Sequence, residues 1–69
     1  MSMDIDKLSR ILRQLVTNEH ALAWEQTTNK QSYCEQLVGS NHEHPVVGTI
    51  LTDVLNKLLA YRLQSLKKR

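Results

Sequence analysis

Residues 45–68 read PVVGTILTDVLNKLLAYRLQSLKK, and this stretch decides the fold. Pro45 suits a first helical position and disfavours helical geometry at the residue before it, so a helix starts here. The spacing predicts that it runs to about Lys68. Its apolar members are Val46, Val47, Ile50, Leu51, Val54, Leu55, Leu58, Leu59, Tyr61, Leu63 and Leu66. At 100° per residue they sweep about 260°, leaving Thr49, Thr52, Asp53, Asn56 and Ala60 as the wet stripe. One neighbouring helix does not cover an arc of that width. Asp53 and Lys57 are spaced to pair at i,i+4, and Lys67, Lys68 and Arg69 complement the C-terminal end of the helix dipole.

Upstream, residues 39–44 (GSNHEH) form a polar loop. Before it, Ile5, Leu8, Ile11, Leu12, Leu15, Val16 and Leu22 recur at intervals of three and four, the mark of an amphipathic helix with an apolar arc of about 140°. Asp4 and Asp6 favour the start of that helix, and Lys7, Arg10, Arg13, Gln14 and Thr17 supply its wet side. Thr27-Thr28-Asn29 interrupts the pattern with residues that prefer caps and turns. A short segment over about 29–38 follows, with Thr28 and Gln31 spaced as a capping box and Tyr33, Cys34, Leu37 and Val38 facing inward. Gly39 is the expected left-handed residue at its end. An unbroken helix over 4–38 is the alternative, since no Pro or Gly divides it.

The fold class is therefore all-α: a helical hairpin in one domain over 1–69, with a long N-terminal helix broken near 27–29 and a long C-terminal helix. Composition agrees. Leu, Ile and Val make up 19 of the 69 residues, enough to drive folding, while two Gly and one Pro are too few for the turns of a small β domain. A chain this short sits near the lower limit for burying its own core, so the wide arc of the last helix predicts completion as a helical bundle by oligomerisation. The expected partner is a second copy or another helical protein.

Charge is uneven. Residues 18–44 carry four Glu against one Lys, a balance of −3, and residues 45–69 carry five basic residues against one Asp, a balance of +4. The acidic N-terminus lacks the form of a signal peptide, and no apolar run reaches membrane-spanning length. One cysteine forms no internal disulfide. These features predict a cytoplasmic protein without a membrane partner.

Chemistry-bearing groups are sparse. His42-Glu43-His44, with Cys34 and His20, offers metal-binding side chains, but lacks the His-Glu-x-x-His spacing and the paired cysteines of a zinc knuckle. A polar solvated loop is the plainer reading, so no metal or other cofactor is expected. Cys34 as a nucleophile would need a base and an oxyanion-binding turn, and neither is evident in the sequence. No catalytic residues are assigned, and the chain is expected not to be an enzyme.

In size and layout it resembles small helical bacterial or phage accessory proteins, co-chaperones and inhibitors among them, in architecture only. The expected function is a helical protein–protein interaction module of adaptor, co-chaperone or inhibitor type. Leu51, Leu55, Leu58, Leu59 and Leu66 are its expected contact residues, with Trp24, which projects away from the first helix's stripe, as an anchor. The alternative is a small nucleic-acid-binding regulator using Arg10, Arg13 and Lys67, Lys68 and Arg69.

Overall fold

Four helices in chain order account for almost all of the described backbone: α1 over Ile5–Leu15, α2 over Asn18–Gln26, α3 over Lys30–Gly39 and α4 over Pro45–Lys67. The computed structural model describes residues 5–39 and 45–68. The described residues are all-α, as expected. His42, Glu43, His44 and most of the expected loop lie outside them, as do Asp4 and Arg69.

The N-terminal half breaks twice. The break near 27–29 is present, and a second one at Val16-Thr17 replaces the continuous helix expected there. Thr17 has an extended backbone, φ −121° and ψ 165°, and its hydroxyl accepts a hydrogen bond from the His20 amide at 3.1 Å. It is an N-cap, filling one of the amide groups that a helix start leaves without a partner. The turn changes the helical phase. Ala21 and Trp24 become buried while Leu22, counted in the α1 stripe from sequence, is 49% exposed.

At the second break, Thr27 closes α2, its hydroxyl donating to the Ala23 carbonyl at 3.0 Å and its amide to the Trp24 carbonyl at 3.2 Å. The cap of α3 is Asn29 instead of the expected Thr28, since the Asn29 Oδ1 accepts from the Ser32 amide at 3.0 Å. Gly39 is also corrected. It is the last residue of α3 and has no positive φ, so the expected left-handed turn does not occur at this position.

The core lies along one face of α4, which packs chiefly against α3 and α2 and touches α1 over a shorter stretch. Leu51, Leu55, Leu59 and Leu63 meet Ile11, Ala21, Trp24, Cys34 and Val38 in one buried cluster. Full burial contributes roughly 1.5–3 kcal/mol for each leucine. Thr52, Asn56 and Ala60 correct the expected wet stripe: Thr52 is buried and Asn56 and Ala60 are half-buried, Ala60 packing against the core, whereas Thr49 and Asp53 are exposed.

Candidate interaction surface

Two apolar stripes run along α4: one is buried in the core, and the other is partly covered by the same subunit, with Val47 packed against the core. Leu51, Leu55 and Leu59 are at most 2% exposed, so three of the expected contact residues are internal core. The second stripe comprises Val47, Ile50, Val54, Leu58 and Tyr61. At 100° per residue its centre stands about 130° from that of the buried face. Ile50 and Tyr61 are 47% and 73% exposed, and Val46 beside them 59%. Val47, Val54 and Leu58 are half-buried, as is Leu66 nearer the C-terminus. Of the leucines expected at the contact, only Leu58 belongs to this outer stripe.

At its C-terminal end the stripe opens into a shallow cleft of about 730 Å3, where Val16 from the α1–α2 corner faces Leu58, Tyr61 and Leu66. Arg62 marks the rim, its Nε donating to the Asn18 Oδ1 at 2.8 Å. Along one flank runs the exposed pair Asp53 and Lys57, with Nζ and Oδ2 3.3 Å apart. An exposed i,i+4 pair adds only a few tenths of a kcal/mol. Its position beside the apolar stripe is the more informative property.

Trp24 has become an internal strut. It is buried, its Nε1–H donates to the Asn56 Oδ1 at 2.7 Å, and the Lys30 ammonium stands 5.1 Å from the ring centroid. The Cys34 Sγ approaches the same oxygen at 3.8 Å. One half-buried amide thus ties α2 and α3 to α4. Cys34 is fully buried, and desolvation, reinforced by the nearby Glu35, raises its thiol pKa above the ordinary value. Both effects favour the neutral thiol over the nucleophilic thiolate. His20 is occupied at the α2 start, where its Nδ1 lies 3.0 Å from the Thr17 Oγ1.

Basic residues divide between separate places. Arg10 and Arg13 are exposed on α1, and Lys68 is exposed just beyond α4. Lys67 is paired with Glu25. Among the described residues no group of three or more His, Cys, Asp or Glu side chains is placed to hold a metal ion, and no helix is long and apolar enough to cross a membrane.

No family model, curated protein or solved structure matches the chain. Its functional reading rests on its own surface.

Proposed function

We propose that this chain is a non-enzymatic helical interaction module of adaptor, co-chaperone or inhibitor type that acts in the cytoplasm. The outer stripe of α4 is its contact face. The supporting observation is the exposure of Ile50 and Tyr61, with Val46 beside them and half-buried Val54 and Leu58 between, along a helix whose inner face is already committed to the core. Contiguous exposed apolar surface of this kind marks interaction sites. Binding then proceeds by burying the stripe against a second helix, with side-chain spacing setting the register. Leu58 carries over from the residues expected by sequence, Leu51, Leu55 and Leu59 anchor α4 to the core, and Trp24 braces the fold behind it.

The test compares the assembly mass of wild-type protein captured from native extract with that of Ile50→Asp and Tyr61→Asp. Both side chains are exposed, so these variants are expected to keep their helicity and lose the captured assembly. Unchanged capture by both would contradict the reading.

A further inference from the structure

We propose that the cleft beside Arg62 and Tyr61 recognises an acidic amphipathic helix of another protein, one that carries a Glu or Asp carboxylate next to its apolar stripe. The inference rests on the outer face of α4 as contact surface and names the chemistry of what docks at its C-terminal end.

Charge selects the occupant. Among the described residues, Arg62 and Lys68 are the charged side chains lining the cleft and an adjoining recess of about 370 Å3, and no acid lines either. The other cations of α3 and α4 are already engaged. Lys57 is paired with Asp53 and Lys67 with Glu25, while the Lys30 ammonium lies 3.2 Å from the Thr27 carbonyl and over the Trp24 ring. Arg62 differs. Its bond is to the side-chain oxygen of Asn18, at 2.8 Å, and among the described residues no carboxylate pairs with it.

A neutral amide leaves the positive charge of the guanidinium uncompensated. It occupies the Nε donor and leaves both Nη groups for the two parallel bonds that a carboxylate accepts. Because the Asn18 bond already orients the fork, less freedom is lost when an anion arrives. Glu19, next to Asn18 in sequence, does not line the cleft. Arg62 also stands more than a turn before the end of α4 at Lys67, outside the last turn where the helix dipole opposes an anion.

The apolar half of the recognition comes from Val16, Leu58 and Leu66, each half-buried in the cleft lining, and from the exposed Tyr61 ring. The cleft is shallow, which suits a helix lying across it rather than an enclosed small molecule. Two cations around an apolar lining also fall short of the run of basic contacts with which proteins track a phosphate backbone.

Fluorescence polarisation of the whole chain with labelled helical peptides of about 15 residues tests the proposal. The peptides share one Leu stripe and carry Glu, Gln or Lys beside it. Glu peptides should bind at least about tenfold more tightly than their Gln counterparts, and Lys peptides more weakly still. Arg62→Gln should remove the preference for Glu over Gln while circular dichroism stays helical, and Asn18→Ala should reduce it. Arg62→Lys should restore only part of it, because an ammonium lacks the planar fork. In heteronuclear NMR spectra of the unmutated chain, the Arg62 Nε–H resonance should move when the Glu peptide is added.

Equal binding of Glu and Gln peptides, a preference that survives Arg62→Gln, or no binding by any peptide up to about 1 mM would overturn the carboxylate as ligand. Loss of the captured assembly with Ile50→Asp would then still support the stripe as a contact face. Unchanged capture with Ile50→Asp, beside an Arg62-dependent preference for Glu, would overturn the rest of the stripe and keep the cleft. A dimer of the chain itself that Arg62→Gln dissolves would overturn another protein as the source of the helix, and tighter, Arg62-dependent binding of a short duplex DNA would overturn a protein ligand altogether.

Discussion

The indole N–H of Trp24 donates to the side-chain oxygen of Asn56 at 2.7 Å, joining residues 32 positions apart in sequence. This bond ties α2 to α4 on the side of α4 that the subunit itself covers. Asn56→Ala strands a buried donor, so it is expected to cost about 1–3 kcal/mol in chemical denaturation. The emission of Trp24, the protein's one tryptophan, should shift in the same variant. Replacing both partners, Trp24→Phe with Asn56→Leu, should cost less than the sum of the single changes.

Inner and outer stripes of α4 should respond differently to truncation. Leu55→Ala removes a fully buried side chain and should destabilise by about 2–5 kcal/mol at any protein concentration. Ile50→Ala should leave the subunit's own stability within about 0.5 kcal/mol and act mainly through assembly, so its effect should grow as protein concentration rises. Urea melts at two protein concentrations separate the two behaviours.

Thr17 is responsible for the start of α2. Thr17→Ala removes the acceptor for the His20 amide and should cost about 0.5–2 kcal/mol. Faster hydrogen exchange at the His20 amide, with α3 amides unchanged, is the expected local signature. Thr17→Ser should restore most of the protection.

Alkaline stability should depend on Cys34. Its thiol pKa is raised in the fold, first by desolvation and then by Glu35, above an ordinary value of 9.0. Below that value both folded and unfolded chains hold the proton, so the contribution to stability is fully retained. Above it the unfolded chain releases the proton more readily, and stability falls as pH rises toward the folded-state value. Urea midpoints at pH 8 and 10 should show this loss, and Cys34→Ala should reduce it. Tyr33, also raised by burial, should leave a remainder in that variant.

Much of the architecture was legible in the sequence. The three-and-four spacing in α1, the width of the α4 arc and the Thr-Thr-Asn interruption each correspond to an observed element. Thr17 was read as part of a wet face because its neighbours continued the α1 pattern, although a Thr followed by Asn18 and Glu19 is also a helix-start signal. That missed turn explains the error over Leu22 and the reading of Trp24, a buried residue, as projecting away from the α1 stripe. On α4, a helical wheel shows how wide the apolar arc is but not which part the same chain covers. The wheel therefore offers Leu51, Leu55 and Leu59 to a partner although the subunit itself buries them, and does not single out Ile50 and Tyr61 as the side chains left exposed. Thr52 and Asn56 were read as wet because they are polar, yet a small side chain and an amide paired with Trp24 both fit a helix contact.

The central claim is that α4 presents its outer stripe, and methyl NMR of the chain free and in its captured assembly tests it most directly. The account predicts shifts at Ile50, Val54 and Leu58 on assembly, with Leu51, Leu55 and Leu59 comparatively still. Shifts centred on Leu51, Leu55 and Leu59, or none along the outer stripe, would contradict it.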